Sequence, residues 1–188
     1  MDSVTRKRLT AVITAAGAVV VALGLVWFQP WRLWVDETVR EELPSAAVPV
    51  PGSPTASSHT GGPTAPAPSA GPRILARGSL ISHEHATTGT AKIIRLADGR
   101  HTLRLEGLDT SSGPDLRVWL TDAPVRPGTA GWRVFDDGKH VSLGALKGNK
   151  GDQNYALPAD VDWSAYTSVS IWCDRFDVSF GAAELVRV

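Results

Sequence analysis

The chain has 188 residues, with 19 Lys and Arg against 19 Asp and Glu and a single cysteine. That length allows one ordinary domain with appendages, folded without disulfide staples. From Arg73 onward the balance is again even, 14 basic against 14 acidic residues, so no electrostatic surplus is available for phosphate backbones and nucleic acid is excluded as a partner class. Abundant Ala, Gly, Pro and Arg are the usage of a GC-rich bacterial genome.

Residues 10–28 carry no charge, and a helix of that length crosses roughly 28 Å of hydrocarbon. Arg6, Lys7 and Arg8 precede the run, while Trp27, Phe28, Trp31 and Trp34 follow its far end. The positive-inside rule and the aromatic belt then place residues 1–9 in the cytoplasm, residues 10–28 in the membrane, and everything after them outside. A cleaved secretory signal competes with this reading, but the run is long for a signal core and no small-residue cleavage site follows it closely. A single-pass signal anchor in the cell membrane is expected, with an extracellular C-terminal part. Asp36, Glu37, Glu41 and Glu42 are expected to continue the helix until Pro44 stops it.

Residues 29–72 form the juxtamembrane segment and a linker. Between 44 and 72 there are eight prolines and no charged side chain, a composition that buries no core and acts as a tether.

From residue 73 short apolar segments alternate with turn signals, the habit of an all-β, antiparallel β-sandwich. Residues 91–96 and 101–105 flank Asp98-Gly99 as a hairpin. Gly113-Pro114-Asp115 turns the chain into residues 116–121, where Leu116, Val118 and Leu120 share one face and Arg117, Trp119 and Thr121 the other. The only helical turn expected lies in 160–166, with Asp160 or Asp162 as cap. In 168–173 the alternation puts Val169, Ile171 and Cys173 on the apolar face and Trp172 opposite.

The chain from about residue 74 to 185 resembles the DM-thirteen domain, which occurs in Skeletor-type proteins beside DOMON domains and is proposed to act in electron transfer. The resemblance is carried by His85 with Thr88-Gly89-Thr90-Ala91, by Leu103-Arg104-Leu105, and by Gly113-Pro114-Asp115-Leu116 with Val118 and Leu120. Further along it is carried by Leu143-Gly144-Ala145-Leu146-Lys147-Gly148-Asn149, by Gly151-Asp152-Gln153-Asn154-Tyr155, and by Ile171-Trp172-Cys173 with Phe176 and Phe180-Gly181. It implies a β-sandwich over residues 73–188 and a redox role centred on Cys173.

A lone exported cysteine is an intermolecular bridge, a reactive thiol, a ligand, or a packed small hydrophobe. A dithiol cycle within the chain needs a second cysteine. Covalent c-type haem needs a Cys-x-x-Cys-His run, which is absent. Met1 is the only methionine, so no Met ligand is available, and no histidine follows Cys173 as a blue-copper site would want. Cys173 as a redox group or a haem or metal ligand is left with His83, His85, His101 or His140. His85 is the preferred partner because it lies in the family-like segment, whereas His83 and His140 read as exposed loop residues.

Asn149, Asp152 and Asn154 suggest either calcium or the tight turn that Gly148 and Gly151 also favour, and turn chemistry weighs more. No residue set forms a dedicated metal motif. No hydrolase or transferase motif is present; a Cys-His hydrolase would lack a placed base and an oxyanion hole. Trp119 and Trp172, opposite in parity to the apolar residues, mark a sheet face that binds glycans or proteins or packs on another layer. Two functions follow. One is a membrane-anchored extracytoplasmic redox domain using Cys173 and His85 with a redox partner. The other is a non-enzymatic surface-binding or adhesion module, in which Cys173 is structural and the face at Trp119 and Trp172 meets a cell-wall component.

Overall fold

The computed structural model describes residues 3–28, 35–44 and 71–188. Helix α1 runs over Ser3–Phe28. Among the described residues no helix is long and apolar enough to cross a membrane, the side chains described in α1 running only from Val12 to Trp27. The span expected over residues 10–28 is therefore taken up below as a proposal. Trp31, Trp34 and the linker between 45 and 70 lie outside the described residues.

Ten strands are described: β1 Thr38–Arg40, β2 Arg73–Ser82, β3 Thr88–Arg95, β4 His101–Asp109, β5 Leu116–Thr121, β6 His140–Ala145, β7 Lys150–Ala156, β8 Ser168–Cys173, β9 Val178–Glu184 and β10 Val186–Arg187. The chain is thus mostly β, as the period-2 patterning requires. The strands join in one sheet of order β1-β7-β4-β3-β2-β9-β8-β5-β6, with β10 added to β2. The expected antiparallel sandwich takes the form of a curled, mixed sheet, because β1 pairs with β7 in parallel.

The curl turns on β2. Its residues 73–79 pair with β3 and its residues 80–82 with β9, so one bent strand belongs to both halves. Gly78 sits at that bend, where a β-carbon would lie 1.8 Å from the Glu184 carbonyl oxygen. Only glycine lets two backbones approach so closely. Inside the curl lies the main apolar core, with Ile93, Leu103 and Leu105 from one half and Val118, Ile171 and Phe180 from the other.

Several local expectations hold. The Asp98-Gly99 turn joins β3 to β4, with Gly99 at φ +85°. A 3-10 turn at Trp163–Ala165 is capped by Asp162, whose carboxylate accepts from the Ser164 amide. Residues 36–42 depart from expectation: they form no helix but a strap whose centre is β1. The reason is long-range pairing, since Glu41 N donates to the Asp152 carbonyl and Lys150 N to the Glu37 carbonyl. These backbone partners lie more than a hundred residues away in sequence, and local propensity does not encode them.

Candidate functional site

Cys173 ends β8, opposite Leu116 of β5 and Val178 of β9. Parity puts its side chain on the inner face with Val169 and Ile171, and the thiol is 0% exposed within the main core. The chain turns sharply after it, with Asp177 at φ +49°. Asp174 N donates to the Asp115 carbonyl and so locks this turn to the loop before β5. Burial pushes the Cys173 thiol up, against the downward pull of backbone hydrogen bonds from Arg175, Phe176 and Asp115. The group is a protonated thiol at neutral pH.

Above Leu116 and Asp115 opens a cleft of about 420 Å3, lined by residues from 112–116 and 145–149 together with Val35 and Glu37 of the strap. Two of the segments that carry the family resemblance therefore converge here. Asn149 organises one wall: its Oδ1 accepts from Glu37 N at 2.7 Å, and its Nδ2 donates to the Asp36 carboxylate at 2.8 Å and the Thr110 carbonyl at 2.9 Å. The side-chain amide thereby binds the strap, and so do its neighbours. Asn154 donates its backbone N–H to Glu41 at 2.8 Å, and Lys147 Nζ lies 2.7 Å from the same carboxylate. The oxygen-rich run read as calcium chemistry or a turn is instead the dock for residues 36–42. Gly148 and Gly151 make room for it, since β-carbons there would fall 2.4 Å and 2.0 Å from the carbonyl oxygens of Glu37 and Val39.

His85 is not joined to Cys173. Its side chain, 32% exposed, lies beside Glu84 at 3.2 Å, and its ring packs on Phe180 with centroids 3.9 Å apart. Phe180 belongs to the same core as Cys173, so the histidine reaches that core but spends its ring on it. No group of three His, Cys, Asp or Glu side chains able to hold a metal occurs among the described residues. Cys173 lines none of the clefts described, so a haem or metal seated in one of them would not meet the sulphur. The residues as placed do not fit a thiolate-ligated cofactor.

The other histidines divide unexpectedly. His83 was expected exposed and is 8% exposed: Nδ1 lies 2.8 Å from Ser179 Oγ and Nε2 3.0 Å from the Arg126 carbonyl. It is buried because the connection between β5 and β6, residues 122–139, folds back over the outer face of the sheet. His101 faces Trp163 at 6.1 Å, and His140 remains exposed, stacked on Trp119.

Trp119 and Trp172 do occupy the face opposite the main core, but they are 8% and 1% exposed. With Phe135, Ala123 and Ala182 they form a second apolar cluster, against which Val125 and Val134 pack from the same connection. Neither indole is an open platform for a glycan or a protein. The apolar residues Val125, Val134 and Phe135 inside a polar connection were the available signal for this cover.

Among the comparisons with known proteins, a family model described as electron transfer DM13 matches residues 79–185. No curated protein and no solved structure matches the chain.

Proposed function

The chain belongs to the DM13 electron-transfer family, and from that membership we propose a membrane-anchored, extracytoplasmic electron-transfer domain whose redox group is Cys173, served by the cleft over Leu116. The observation that carries it is the convergence of two of the family-like segments on a cleft whose floor, Leu116, is the cross-strand partner of Cys173. Asp115, on the same floor, contributes a backbone hydrogen bond at the sulphur.

A thiol held protonated by burial is a poor attacking nucleophile. It can instead lose one electron across Leu116 to an acceptor docked in the cleft while its proton passes to the neighbouring Asp115 carboxylate, leaving a thiyl radical that the returning electron and proton restore. That acceptor is a one-electron redox partner outside the cytoplasm. Anchoring rests on the uncharged run 10–28, the basic residues before it and the Pro-rich tether after it.

The test is direct voltammetry of the full chain in detergent, comparing the parent protein with Cys173→Ser and Cys173→Ala. Loss of electron exchange in both variants is expected. Exchange equal to that of the parent would remove Cys173 from the mechanism. One observation favours a second reading, a surface module with a structural cysteine: Cys173 is 0% exposed and packed in the main apolar core. Under that reading both variants lose stability and no redox signal.

A further inference from the structure

Across β8, β5 and β6 three aromatic side chains climb the outer face of the sheet as a diagonal ladder. Trp172 lies opposite Arg117, while Trp119 lies opposite Ser170. The two indoles are therefore diagonal neighbours on adjacent strands, a placement within reach of large rings. The same diagonal recurs one strand on, because Trp119 faces Ser142 and His140 faces Thr121. The rings close into contact: Trp119 and Trp172 stack with centroids 4.9 Å apart at 23°, and His140 stacks on Trp119 at 4.2 Å and 7°. At the inner end Phe135 meets Trp172 edge-on at 6.4 Å and 75°.

Packing alone accounts for a buried tryptophan pair, but two features go beyond packing. The ladder surfaces at His140, on an edge strand of the sheet. In addition, Nε1 of Trp119, like that of Trp132, is buried without a hydrogen-bond partner among the described residues, although a buried indole N–H ordinarily finds an acceptor. An oxidised indole usually decays by giving that proton away. No described residue accepts from Trp119 Nε1, so electron loss there is expected to move no proton and to be reversible.

The charged group nearest in register is Arg117, directly opposite Trp172. Its guanidinium is paired with Asp174 and with Asp115, so its charge is offset where a positive hole would sit. Buried hydroxyls of Thr121, Ser168 and Ser170 lie on β5 and β8 and supply dipoles rather than bases; Ser179 of β9, opposite Trp172, bonds Ser170 and the His83 ring.

We propose that Trp119 and Trp172 form a cofactor-free one-electron site, reached from solvent through His140. An outer-sphere one-electron oxidant meeting the edge of β6 removes one electron from the Trp119 indole, leaving a radical cation whose charge is shared with Trp172. One electron from a one-electron reductant restores the pair, and no bond to either ring forms or breaks. The site goes beyond the thiol reading and shares with it only the electron-transfer class of the family.

The test uses the full chain in detergent with Trp27, Trp31 and Trp34 replaced by Phe, so that only the domain's tryptophans report. Photogenerated ruthenium(III) tris-bipyridine is the oxidant, read by transient absorption and electron paramagnetic resonance. The expected product is the tryptophan radical cation, absent in Trp119→Phe, shorter-lived in Trp172→Phe, and unchanged in Trp132→Phe and Trp163→Phe. A full signal in Trp119→Phe, or its loss with Trp132→Phe instead, overturns the proposal. Should Trp119→Phe fail to fold, His140→Ala decides, because it changes an exposed residue. It is expected to let water reach Trp119 and convert the cation to the neutral radical, and an unchanged cation of unchanged lifetime overturns the ladder. Cys173→Ser is expected to keep the signal whatever becomes of the thiol reading, and its loss there would overturn an independent tryptophan site.

Discussion

A single histidine shows how burial can turn a surface-looking residue into a structural one. His83 joins the sheet to residues 122–139 through Ser179 and the Arg126 carbonyl. Burial holds its pKa below the ordinary 6.5, outweighing the hydrogen bond to Arg126 that favours the charged form. In the neutral ring Nε2 donates to the carbonyl and Nδ1 accepts from the serine hydroxyl. Because the folded-state value is depressed, the folded chain binds fewer protons than the unfolded chain below 6.5. Its contribution to stability is complete above that value and is lost as pH falls through the folded pKa. Urea unfolding on either side of pH 6.5 is expected to show a lower midpoint on the acid side, and His83→Ala is expected to flatten this dependence. The same substitution costs about 1–3 kcal/mol at neutral pH, since it strands the Arg126 carbonyl, while Ser179 keeps Ser170 Oγ and the Gly181 carbonyl as partners.

Among the elements, the strap 35–44 is the one whose behaviour is least like its sequence. Backbone pairing with β7 and side-chain hydrogen bonds with Asn149, Asn154 and Arg104 hold it, reinforced by Glu41 on Lys147 and Asp36 on Lys150. Exposed pairs of this kind contribute little singly, so the close approach allowed by Gly148 and Gly151 is what decides docking. Gly151 also holds φ +95°, a conformation that other residues adopt only with strain. Gly151→Ala is expected to free the strap, so that the amides of Glu41 and Lys150 lose protection in hydrogen exchange while the β3–β4 amides keep theirs. Retained protection at Glu41 would show that the glycine is not needed. Since Val35 and Glu37 line the cleft over Leu116, a freed strap also widens the approach toward Cys173.

For the molecule as a whole, the proposed membrane anchoring predicts sidedness. Intact cells treated with a membrane-impermeant protease are expected to lose the domain, while residues 1–9 stay protected. Protection of the domain until the cells are opened would reverse the assignment.

The legible part of this protein was its periodicity. Alternation in 116–121 and 168–173 was enough to put Leu116 and Cys173 on one face and Trp119 and Trp172 on the other, because a strand's side chains alternate whatever surrounds it. Asp98-Gly99 and Asp162 were equally local, each acting within a few residues through turn or cap chemistry. The sequence by itself therefore determined the strands at 116–121 and 168–173, their faces and the inward cysteine. The tertiary structure alone decided that the second face is also buried, that His83 lies beneath a cover, and that residues 36–42 become a strap with the short strand β1 at its centre. Parity says which side a residue takes, whereas what lies on that side depends on chain segments brought from far along the sequence.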